Sequence, residues 1–185
     1  MSMEMMKKAV LGAAGAIALL GAGSAAAQLS PANVAGQWDV VQPSPGTYTF
    51  SGPTVLSQSG IDISCTLSLT GDVTYVSSSE VTIDVTSGSV MGGGLCGAVS
   101  LSGFPWTASI PGSASQADAL AEDDVNGTFN GVTVSTFLGS CTGNVAATFN
   151  NGSPISADSY FIFDDNFGNC SVDGTLTATT DVNAY

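Results

Sequence analysis

The chain has 185 residues and 15 carboxylates against only two cationic side chains, Lys7 and Lys8, for a formal charge of −13. With so little positive charge, nucleic acid is excluded as a partner, and so is electrostatic attraction to an anionic lipid surface. The absence of His removes Ser–His–Asp and Cys–His nucleophiles and every metal site built on imidazole.

Lys7-Lys8 is followed by an apolar run, Ala9 to Gly21, and by the small residues Ser24-Ala25-Ala26-Ala27. This is the pattern of a secretory signal over residues 1–27, cut after Ala27. The run falls short of the roughly 20 apolar residues that a membrane helix needs. Removing 27 of 185 residues leaves 158, and takes away both lysines and Glu4, so 14 carboxylates and no cation remain. A carboxylate pair is then the only acid–base device left, and it would need a cleft and a separation of about 5 or 6.5–9.5 Å. An enzyme is not expected.

Residues 28–46 contain Pro43 and Pro45 and alternate poorly. They read as a disordered lead-in, or as an arm that adds a strand elsewhere through Trp38, Val40 and Val41. From residue 47 to 185 the composition is that of one β domain. Ile61 to Thr70 alternates for ten residues, its odd positions facing a core, and Val81 to Thr86 and Val132 to Ser135 do the same more briefly. Gly71-Asp72, Asn126-Gly127, Asn130-Gly131 and Asn150-Asn151-Gly152 are the expected turns. Only Ser115 to Asp124 could hold a helical turn or two. The expected fold is all-β, a single disulfide-containing β-sandwich or partly closed barrel. Similar segments after each cysteine raise a duplication of halves near 47–110 and 125–185 as an option.

In an exported chain Cys65, Cys96, Cys141 and Cys170 point to two disulfides. Three pairings are open, and the two similar separations flanking a longer one favour Cys65–Cys96 with Cys141–Cys170. No cofactor is expected, with one side option: Glu122, Asp124 and Asn126 set oxygens at alternate positions before a glycine, and Asp164 and Asp165 form a second oxygen-rich stretch, as calcium ligands do. The calcium-loop spacing then fails, because Thr133 stands where Glu is required. Phe104 and Trp106 flank Pro105, and Phe161 and Phe163 lie in a segment apolar on both faces. These four are the candidates for an exposed apolar strip, against the alternative of core packing. An outer-membrane barrel is not expected, because Asp181 and Asn183 share a face with Tyr185 and no lipid-facing band is visible.

In order along the chain stand Phe50-Ser51-Gly52-Pro53-Thr54-Val55-Leu56, Ile63 to Gly71 around Cys65, a glycine-rich approach to Cys96, and Gly103-Phe104-Pro105-Trp106-Thr107. Leu138 to Asn144 around Cys141 and Asn169 to Leu176 around Cys170 follow. This ordered set resembles the secreted alkane-oxidation activator family (PraB-like) of Gram-negative bacteria. The resemblance implies a secreted, non-enzymatic protein exported through the periplasm, which assists growth on n-alkanes by meeting hydrocarbon or cell-surface components. The rival expectation is a homo-oligomer or filament: a structural subunit of an extracellular fibre, coat or biofilm matrix.

Overall fold

Alternation of apolar residues with Ser, Thr, Asn and Asp gives long strands whose two faces differ sharply in polarity. The computed structural model describes residues 40–42, 46–77, 80–111, 124–152 and 157–184. The signal expected at 1–27, most of the lead-in, and the helical turns expected at 115–124, apart from Asp124, lie outside the described residues. The strands are β1 (Val40–Gln42), β2 (Gly46–Gln58), β3 (Ile61–Ser77), β4 (Glu80–Met91), β5 (Ser100–Ser102) and β6 (Trp106–Pro111). They continue with β7 (Val125–Thr136), β8 (Gly139–Asn150), β9 (Tyr160–Phe167), β10 (Cys170–Ala178) and β11 (Asn183–Ala184), and a short 3₁₀ helix, Gly94–Ala98, joins β4 to β5.

Each long strand pairs antiparallel with the next, from β2 through β3, β4, β6, β7, β8 and β9 to β10, and β10 returns to β2. The result is a closed up-and-down barrel of eight strands. Of the two expected architectures, the barrel is the one formed. The halves suspected of duplication each supply four of its staves. β5 lies beside β7 in line with β6, pairing Ser100 to Ser102 with Ser135 to Thr133. β1 pairs with β11 as a separate ribbon, so part of the lead-in is used as a strand on its own chain.

Three of the four expected turns are not turns. Gly71-Asp72 lies inside β3, and Asn126-Gly127 and Asn130-Gly131 lie inside β7. Gly71 is there because a Cβ would stand 2.7 Å from the backbone oxygen of Asp84. Asn130-Gly131 is a bulge, with Gly131 at φ 74°. Before it Val125 and Phe129 face inward; after it Val132 and Val134 do. A second bulge, near Thr86 in β4, changes the phase in the same way, so that Val81, Ile83 and Val85 point inward below it and Gly88 and Val90 above. Asn150-Asn151-Gly152 does end a strand, β8.

The interior has two halves. Toward the base, Phe50, Phe129, Phe149, Phe161 and Phe163 form one ring cluster, with Phe161 touching the other four at centroid distances of 4.9–6.3 Å. Tyr48 sits below it, and its hydroxyl is buried with no hydrogen-bond partner. Burial pushes that phenol above its ordinary range. Tyr48→Phe is therefore expected to be neutral or to stabilise by up to about 1 kcal/mol in urea unfolding. Its unfolded pKa is about 10, so the wild type should lose stability as pH climbs past that value. The variant should lose less.

Candidate functional site

Four connections mark one end of the barrel, its mouth: Ser59-Gly60, the segment 92–99, Phe137-Leu138 and Gly168-Asn169. All five large apolar side chains that stand exposed among the described residues are here. They are Ile61, Met91, Leu95, Phe137 and Leu138, with Met91 and Phe137 the most open at 54 % and 51 %. The outward positions of the wall below are mostly Ser, Thr, Asn and Asp, as in Asp62, Ser68, Thr82 and Asp84 of β3 and β4. A barrel that crosses a membrane carries its apolar band outside; here the buried large apolar residues line the inside, and the exposed ones stand at one rim.

Both disulfides are at this end. Cys65 of β3 is bonded to Cys96 of the 3₁₀ helix with Cα atoms 5.7 Å apart, and Cys141 of β8 to Cys170 of β10 with Cα atoms 5.9 Å apart. The β2–β3 hairpin reaches past the end of β4, where Met91 pairs with Thr66. The first bridge holds the 92–99 segment against that overhang. A polar crossbar spans the ring: β2 and β7 stand opposite one another, and the Thr136 hydroxyl donates to Oε1 of Gln58, a residue only 1 % exposed. The Leu138 amide donates in turn to Thr136 Oγ1 at 2.9 Å.

Beneath the crossbar the mouth half encloses a cavity of about 60 Å³, whereas the void beside the aromatic cluster measures about 20 Å³. Its walls include Leu56, Ile63, Leu67, Val90, Val134 and Val145, with Phe129 and Phe163 as floor. Two lining residues carry polar side-chain groups, and both are occupied: Thr54 Oγ1 donates to the Cys65 carbonyl at 3.4 Å, and Trp106 Nε1 to the Ser102 carbonyl at 2.8 Å. No carboxylate lines it. An eight-stranded barrel is just wide enough to be filled by its own side chains or to hold one small ligand. This one does the first at its base and leaves room at its mouth. Such a cavity has the volume for water, which needs at least about 10–15 Å³, but not the two to four partners that water requires. Apolar matter is what it can accept.

The four aromatic residues expected on an outer strip are not there. Phe161, Phe163 and Trp106 are buried at 4, 5 and 3 %, and Phe104 is half-buried, its ring stacked on Trp106 at 4.6 Å. The reason is phase: in β9 the odd positions point inward, so Phe161 and Phe163 fill the barrel while Tyr160 and Ile162 take the outer face. The true rim residues had a sequence signal that went unread. Phe137-Leu138 and Leu95 are large apolar residues in connections, where polar residues and glycine belong, and Met91 ends β4 just before one of them.

The expected calcium ligands are not gathered. Glu122 lies outside the described residues. Asp124 Oδ1 accepts from Asn150 Nδ2 at 2.9 Å, and Asn126 Oδ1 from Thr148 Oγ1 at 3.0 Å. Asp164 faces Asp173 across the β9–β10 ladder and shares an open outer groove with Asn126. Asp165 Oδ2 accepts from the Ala146 amide at 2.7 Å, where the β8–β9 ladder has stopped. No group of three or more His, Cys, Asp or Glu suited to a metal occurs among the described residues.

No helix among the described residues is long and apolar enough to cross a membrane. Neither a curated protein nor a solved structure matches the chain. A family model described as alkane oxidation protein activator PraA/PraB-like matches residues 3–184, close to the full length, and the chain belongs to that family.

Proposed function

We propose that this protein is a secreted, non-enzymatic accessory of n-alkane utilisation that works at the hydrocarbon–water boundary, with the barrel mouth set into the oil. The observation that carries the reading is the gathering of Ile61, Met91, Leu95, Phe137 and Leu138 at one pole of an otherwise polar barrel. Fully burying a large apolar side chain is worth about 1.5–3 kcal/mol, and since these five are 37–54 % exposed each would contribute roughly half of that. Several in one rim suffice to hold the molecule at an oil surface in a fixed orientation. The chain's negative charge argues for an uncharged hydrocarbon surface over an anionic membrane. Two disulfides suit an oxidising compartment outside the cytoplasm. The fibre-subunit alternative gains little from a ladder closed on itself, in which the open edges among the described residues are short: β5, the end of β4 and the ends of β8 and β9 in the barrel, and the β1–β11 ribbon.

Pendant-drop tensiometry tests this. Wild-type protein should lower hexadecane–water tension, and Met91→Ser with Phe137→Ser should raise the concentration needed at least tenfold while leaving thermal stability within about 1 kcal/mol, since both side chains are exposed. Equal activity of the variant would refute the orientation, and filaments in place of dispersed protein would favour the fibre alternative.

A further inference from the structure

Beyond adsorption, the geometry points to a binding site: we propose that the cavity in the mouth half takes up the end of one unbranched aliphatic chain, admitted sideways between β4 and β5. This gives the oil-seeking mouth a cargo, and it rests on the reading above.

The barrel ladder is interrupted twice in this half. Between β8 and β9 it stops at Ala147–Phe163. That gap is closed by the Asp165 carboxylate on the Ala146 amide and by the Cys141–Cys170 bridge, which passes from β8 to β10. Between β4 and β5 there is no ladder among the described residues: β4 pairs with β6 only through Glu80 to Val85, and β5 pairs with β7. Apolar side chains, not backbone hydrogen bonds, close this seam. Leu101 lies so directly on Gly88 that a Cβ there would come within 2.7 Å of Leu101 Cδ1. Both bulges serve the seam, since they turn Gly88, Val90 and Val134 toward the inside at its level. A rotation of Leu101 breaks no backbone hydrogen bond, whereas the route along the barrel axis is crossed by the Gln58–Thr136 crossbar.

Size and polarity choose the ligand. The lining residues offer no free donor or acceptor, and the one unpartnered donor near by, Gln58 Nε2 of the crossbar, is not among them, so a hydroxyl or carboxylate inside would be left unpaired. At about 60 Å³ the space is well below the roughly 150 Å³ apolar cavity that takes up benzene. A methyl-terminated chain of a few carbons fits where a ring does not. Each further methylene that enters should tighten binding roughly fourfold, which is about 0.8 kcal/mol per methylene. The gain should stop once the cavity is full.

Trp106 lines the cavity and reports on it. In full-length protein carrying Trp38→Phe, titration with n-pentane through n-octane in clear solution should give a saturable change in Trp106 emission at one molecule per chain. Affinity should rise with length and then level off, and cyclohexane should bind at least tenfold more weakly. Val134→Phe and Val90→Phe, each filling the space from a different wall, should weaken n-hexane binding at least tenfold while lowering hexadecane–water tension as the wild type does. An unchanged emission at n-hexane saturation, or equal binding by both filled variants in folded form, would overturn the site and leave the surface reading standing. Failure of the rim variants to alter surface activity would sink that reading without touching the n-hexane result.

Discussion

Phe161→Ala is expected to cost about 3–5 kcal/mol, read as a fall in the urea midpoint at unchanged slope. Phe161 is 4 % exposed and is the ring on which the cluster converges, with Phe50 at 4.9 Å edge-on, Phe149 at 5.1 Å and Phe129 at 5.6 Å edge-on. Its removal takes away the transfer free energy of the ring and leaves a void that four barrel walls cannot close, because each wall is pinned by ladders on both sides. Ring pairs of this kind add about 0.5–1.5 kcal/mol beyond area. Phe104→Ala is the internal comparison. Its half-buried ring stacks on a single partner, Trp106, and its loss should cost less than half as much. Equal costs for the two would mean that the base cluster is not the centre of stability.

The second large effect is expected from replacing Cys141 and Cys170 together by alanine, at roughly 3–4 kcal/mol for a closed loop of about 30 residues. Native-state hydrogen exchange should locate the consequence. The bridge covers the stretch where β8 and β9 share no ladder, so protection should fall at the mouth ends of β8 and β9 well before the Phe161 level. The Cys65–Cys96 bridge closes a loop of similar length, 31 residues apart against 29. Its removal should instead free the 92–99 segment and with it the β4–β5 seam. Protection lost uniformly over the barrel in both variants would show that the bridges act on the unfolded chain alone.

Much of this fold was legible in the sequence. Strict alternation from Ile61 to Thr70 marked β3, and the oxidising context with two near-equal separations pointed to the cysteine pairing that the structure has. What misled was glycine. Gly71, Gly127 and Gly131 each follow or precede Asn or Asp and so resemble hairpin turns, but two of them make room for a neighbour crossing close by, Asp84 or Ile110, and the third makes a bulge. A local pattern cannot tell a chain that reverses from one that is merely approached. The same limit hid the site. The cavity exists because two bulges shift inward phase on strands far apart in sequence, and no window of ten residues contains both. The outer aromatic strip failed for a related reason: a segment apolar on both faces, such as Tyr160 to Phe163, does not say which face is in.

Because β10 closes the ring against β2, the chain enters and leaves the barrel side by side, at Gly46 and Ala178, on the pole away from Met91 and Phe137. Anything joined ahead of β2 or behind β10 therefore hangs from the far side. A molecule tethered there would present its greasy pole outward, like a suction cup on a stalk, and a fused reporter or affinity handle at either place leaves the droplet-facing surface unobstructed.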